Sequence, residues 1–110
     1  SSAASDVYKR QGDGRSIDDY IEIAKIYENV FISNIPVLDD NQKDSARRFI
    51  NMIDEFYDRK VKIILSADTL IDKLCKVTKL ESEFKRTESR INEMQQEKYI
   101  QMEHRTWQIM

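Results

Sequence analysis

Two arginines set four residues apart, Arg86 and Arg90, carry the strongest chemical suggestion in this 110-residue chain. That spacing puts both guanidiniums on one face of a helix. An arginine fixed on a packed helix can stabilise the charge of a transferring phosphoryl group, and any amphipathic helix can equally carry one on its flank. A second basic pair, Arg47 and Arg48, stands early in another helical pattern. There the helix macrodipole opposes cations, by about 0.3–1 kcal/mol each when exposed. Asp44, four residues before Arg48, can offset part of that, so the pair is either locally neutralised or reaches outward to a phosphate or another subunit.

Other polar groups are weaker candidates. Asp54, Glu55 and Asp58 form an acidic patch with no histidine near it, and are expected to be a solvated helix face, with Glu55 pairing with Arg59. Cys75 lies on an apolar stripe and reads as a small core residue. His104 has no cysteine or second histidine at ligand spacing, which argues against zinc. With one Cys and one His in the chain, a redox or metal protein is a poor reading, and one cysteine cannot form an internal disulfide.

The elements that must position these groups follow from periodicity. Val30, Phe31 and Ile32 form a strand closed by Pro36, and Val61, Ile63, Ile64 and Leu65 form a second, short and β-branched. Between them Ala46, Phe49, Ile50, Ile53, Phe56 and Tyr57 recur at three and four, the stripe of a helix that Asp39 or Asp40 can cap. A strand, a helix and a second strand make a parallel βαβ unit, the unit around which the chain is organised. A two-stranded parallel sheet leaves an edge and a face bare, so this unit is expected to be part of something larger and poorly soluble alone. Ser33, Asn34, Ser66 and Asp68 fall just past the carboxyl ends of the strands, where parallel sheets bind ligands; ordinary turn chemistry explains them as well.

Before this unit, Ile17, Tyr20, Ile21, Ala24 and Tyr27 predict a helix over residues 17–28, with Ser16 and Asp19 resembling a capping box. After it, residues 69–77 read as a short helix. A last helix starts near Lys79 with Leu80, Phe84, Thr87, Ile91 and Met94 on its seam. The tail after Tyr99, which holds Trp107, has no pattern.

Composition excludes several classes. The formal net charge of −2 creates no field for nucleic acid or an anionic membrane. No apolar run approaches the roughly 20 residues that cross a bilayer. Gly12 and Gly14 are the only glycines, so the chain contains no phosphate-cradling glycine loop. Residues 1–11, SSAASDVYKRQ, equal one translated frame of a transposon-based sequencing adaptor. They are expected to be a disordered artefact, followed by a reading frame entered in mid-domain. The expected division is then 1–11 adaptor, 12–78 the α/β part and 79–110 a C-terminal helix and tail.

The segments DYIEIAKIYENVFISNIPVL, ARRFINMIDEFYDRKVKIILSAD and FKRTESRINEMQQEKYI resemble the C-terminal third of the AFG-like (ATPase family gene one) ATPases, a family with bacterial cell-division and mitochondrial members. The resemblance covers residues 17–100. ARRF with the following ID-x-x-Y, and RTxSR, are its distinctive parts. Two departures, Ile91 for the common Leu and QEKYI for S-x-E-Y-L, do not touch the chemistry. The resemblance implies a fragment of an AAA+ P-loop NTPase: an α/β parallel sheet with flanking helices in the order α-β-α-β-α-α. It implies ATP and Mg²⁺ for the intact parent, with the phosphate loop upstream and the fragment inactive alone. Arg90 and then Arg86 fall on the RTxSR motif as sensor or finger arginines, and Arg47 and Arg48 on ARRF. It further implies other subunits of an ATPase oligomer and division or membrane-protein quality-control partners. The location would be the bacterial cytoplasm, peripheral to the inner membrane, or the mitochondrion. The competing reading is a free-standing helical interaction module that binds a partner through the Leu80–Met94 seam without catalysis.

Overall fold

A computed structural model describes residues 19–106 together with the strand Ser2–Ala3. Strand β1 (Ser2–Ala3) is followed by α1 (Asp19–Ile26), β2 (Asn29–Ile35), α2 (Lys43–Asp58), β3 (Lys62–Ala67), α3 (Glu81–Met94) and α4 (Glu97–Ile100). The sheet is parallel throughout, in the order β1-β2-β3. The remainder of residues 1–11, the Ser16 cap and Trp107 lie outside the described residues.

In β2 and β3 the side-chain period of two divides the sheet into unlike faces. Val30 pairs with Ile63 and Ile32 with Leu65, on the face that carries the core. Phe31 pairs with Ile64 on the other face, and both are exposed. Ile64 was expected in a buried strand; helices cover only the opposite side among the described residues, so period two leaves it in solvent. The expectation of a bare apolar face holds.

Helix α2 supplies the largest apolar stripe: Ala46, Phe49, Ile50, Met52, Ile53 and Phe56 are buried, and Tyr57 borders them. Its approach is a 3-10 turn, residues 40–42, capped by Asp39, whose carboxylate accepts from the Asn41 amide at 2.9 Å while Gln42 returns a bond to the Asp39 amide. The helix ends in a Schellman arrangement: Val61 N donates to Phe56 O at 3.0 Å and Lys60 N to Tyr57 O at 3.2 Å. This needs Lys60 at φ 61°, a left-handed conformation usually given to glycine. It turns the chain sharply into β3.

The predicted helix over 69–77 does not form. A 3-10 turn, Ile71–Lys73, is followed by an extended Cys75 that bridges Leu38 in parallel. Leu38 N donates to Leu74 O at 2.8 Å and Lys76 N to Leu38 O, so pairing with the chain after β2 replaces helical bonds. Cys75 is half-buried, and burial raises its thiol pKa. From α1 onward the order is α-β-α-β-α-α, with α3 and α4 in its last two places and the 69–77 segment no longer among the helices. Leu80, Phe84, Thr87, Ile91 and Met94 are all buried, as their spacing requires.

Candidate functional site

The arginines meet on the seam between α2 and α3. Three side-chain hydrogen bonds across it share one offset, Arg47 with Glu83, Asp54 with Arg90 and Tyr57 with Glu93, each pair separated by 36 residues. A constant offset means that the two helices run in the same direction and in register. Phe49 stacks on Phe84 beneath the pairs, with ring centroids 6.2 Å apart. The apolar stripes fix the register, and the charged flanks then face one another.

Asp54 is the centre of this row. Arg90 Nη1 donates to its Oδ1 at 2.6 Å, and Arg86 Nη2 lies 3.5 Å from its Oδ2. The Arg90 guanidinium also sits 4.8 Å from the centroid of the Tyr57 ring, a cation–π distance. The Tyr57 hydroxyl donates to Glu93 at 2.9 Å, and that bond above all raises the phenol pKa. The two arginines differ in restraint: the Arg90 side chain is 29% exposed and that of Arg86 is 57% exposed. Asp54 is thus not part of a solvated acidic face. Glu55 is not either, because it pairs with the buried Arg59 as its i, i+4 spacing anticipated. Asp58 alone of the three is exposed.

Arg47 is tied to Glu83 on the first turn of α3. Since β2 leads into α2 through a short connection, the first turns of α2 lie at the carboxyl end of the sheet. Arg47 and the half-buried Arg48 are therefore nearest the edge where parallel sheets bind ligands, and Asp54 lies deeper. Asn34 and Ser33 occupy an irregularity in β2 between Ile32 and Ile35, and Asn34 takes φ 59° there. Both lie inside the strand rather than beyond it. Ser66 is also in a strand, and Asp68 follows it with its amide bonded to Ile35 O at 2.9 Å. These four are not brought together with the arginines. Among the described residues no group of three His, Cys, Asp or Glu could hold a metal ion. A groove of about 820 Å³ along α3 shares Glu93 with the row but none of the arginines.

The tail after α4, which has no sequence pattern, packs against the amino-terminal side of the sheet. The buried Tyr99 hydroxyl lies 2.8 Å from Val61 O and 3.1 Å from Phe56 O. Arg105 N donates to Arg59 O at 2.8 Å, Lys62 Nζ donates to Met102 O, and His104 Nε2 lies 2.6 Å from Ala24 O. Each of these contacts has a backbone carbonyl on one side, for which no residue type is a signature.

The model of the AFG1-like ATPase family matches residues 3–103. The chain belongs to the AFG1-like ATPase family. Cell division protein ZapE of Escherichia coli K12 is 39% identical over 92 residues, 84% of this chain and 24% of ZapE. Lactation elevated protein 1 homolog B of Danio rerio is 48% identical over 56 residues, 51% of this chain and 11% of that protein. The chain thus spans about a quarter of the length of ZapE. No solved structure matches it. Parallel strands flanked by helices are the α/β architecture expected for a piece of an AFG1-like P-loop NTPase. No helix among the described residues is long and apolar enough to cross a membrane.

Proposed function

We propose that this chain is the C-terminal part of an ATP-hydrolysing AAA+ protein, contributing sheet core and phosphate-directed arginines to it. The observation that carries the reading is the convergence of Arg86 and Arg90 on Asp54 in a chain of this family. An arginine whose stem is held by a packed helix and whose head reaches solvent can meet a phosphoryl oxygen without reorganising. Arg47 and Arg48, at the carboxyl edge, are proposed as contacts to a phosphate or to a neighbouring subunit of the oligomer.

ATP and Mg²⁺ belong to the intact parent. The sequence has no GxxxxGK[ST] loop, so the residues present do not form the nucleotide cradle, and none of the described clusters would hold the cation. What this chain supplies is positive charge. By itself it should not turn over ATP. Division or membrane-protein quality-control partners follow from the family relation, ZapE being named a cell division protein. The proposed location is the cytoplasm, peripheral to the inner membrane in a bacterium, or the mitochondrion in a eukaryote.

The test is ATP turnover by the full-length parent carrying Arg86→Ala or Arg90→Ala. Loss of a charge-stabilising arginine is worth about 10³–10⁵ in rate in related systems, with nucleotide binding retained. Wild-type turnover in both variants would refute the reading. A second reading, an interaction module, draws on a different observation: an apolar groove of about 380 Å³ lined by Phe31, Ile64, Met94 and Ile100. A natural start codon near residue 12 and a monodisperse product would favour it.

A further inference from the structure

We infer that Asp54 is a positioning residue that makes the two arginines unequal, fixing Arg90 as a strut and presenting Arg86 as the arm that meets a phosphate. The inference rests on the phosphate-directed reading above and goes beyond it, since the sequence motif ranks Arg90 first. The geometry ranks them the other way. Arg90 is held twice, by the 2.6 Å bond to Asp54 and by the Tyr57 ring at 4.8 Å. Tyr57 is in turn held by Glu93, so Arg90 gives up two contacts if it swings, and the ring it leaves stays in place. Arg86 has a 3.5 Å contact to the second carboxylate oxygen and is 57% exposed.

Charge supports this division of roles. Two guanidiniums four residues apart on one helix repel and would splay. One carboxylate between them allows both to approach, yet neutralises only one. The remaining positive charge lies on the exposed arm, and a phosphate oxygen is the hard, multiply charged acceptor that suits it. Asp54 itself lies in the seam between α2 and α3, bonded to the arginines. Its effect would pass through the arginines, by aiming Arg86 before the anion arrives.

The experiment compares kcat and KM for ATP, with melting temperatures, in the full-length parent carrying Asp54→Asn, Asp54→Glu, Arg86→Ala and Arg90→Ala. Asparagine keeps the shape and removes the charge; glutamate restores the charge. Expected are a loss in kcat of about 10²-fold for Asp54→Asn with KM within twofold, and recovery of most of it in Asp54→Glu. Wild-type kcat in Asp54→Asn beside an impaired Arg86→Ala overturns this inference and leaves the ATPase reading standing. Wild-type kcat in Arg86→Ala with an impaired Arg90→Ala reverses the two roles and overturns it as well. Wild-type kcat in both arginine variants removes the reading on which it rests. A kcat that merely follows melting temperature across the Asp54 variants, or an Asp54→Asn protein that does not fold, assigns Asp54 to stability and overturns the positioning role.

Discussion

Replacing Glu55 by glutamine removes one charge and almost no volume from a pair whose arginine is nearly out of water. The Arg59 side chain is 5% exposed and that of Glu55 23%, whereas across the Arg47–Glu83 pair the values are 49% and 40%. Two unit charges about 4 Å apart interact by about 4 kcal/mol at an effective dielectric of ~20. Glutamine still offers an oxygen to Arg59 Nε, and a neutral hydrogen bond returns about 1 kcal/mol. Arg59 also keeps Arg105 O, at 3.4 Å. The net loss is about 3 kcal/mol, at the low end of the range for breaking a buried pair because Glu55 retains some solvent. Glu83→Gln removes the same charge from an exposed pair and should cost at most about 1 kcal/mol. For a domain of this size about 3 kcal/mol lowers the melting temperature by about 12 °C, and about 1 kcal/mol by about 4 °C. Urea unfolding followed by far-UV circular dichroism should shift in midpoint by about 1.5 M for Glu55→Gln and by about 0.5 M or less for Glu83→Gln. Equal shifts, or a larger one for Glu83→Gln, would refute the argument that burial sets the strength of these pairs.

Tyr99 predicts the alkaline limit of the fold. Burial, then Tyr57, Glu93 and Asp58, raise its pKa above the ordinary 10.0, so the folded phenol keeps its proton where the unfolded one loses it. The corresponding stability is fully present below pH 10 and declines as pH rises beyond it. Tyr99→Phe should lower stability by about 1 kcal/mol at pH 7 and flatten the decline above pH 10, read from urea midpoints against pH; an unchanged slope contradicts this. The exposed Phe31 and Ile64 predict self-association, so Phe31→Ser with Ile64→Lys should lower light scattering at matched concentration and leave the circular dichroism spectrum unchanged.

What the sequence by itself determined is what repeats within a turn or a strand. The stripes on α2 and α3 and the alternation in β2 and β3 are written at spacings of two, three and four. Burial follows from them, and the family relation was legible in the same segments. The Glu55–Arg59 pair was visible for that reason too. Tertiary structure decided the pairings whose partners are far apart in the chain: Asp54 with Arg90 over 36 residues, Tyr99 with Phe56 over 43, and His104 with Ala24 over 80. It also replaced the predicted 69–77 helix with a turn and a bridge to Leu38, because a strand-like partner takes up backbone groups that so short a helix satisfies only marginally. Asp54, Glu55 and Asp58 are neighbours of one charge in the sequence. Only the path of α3 and the burial of Arg59 made the first the anchor of an arginine pair and the second a half-buried counter-ion, and left the third in water.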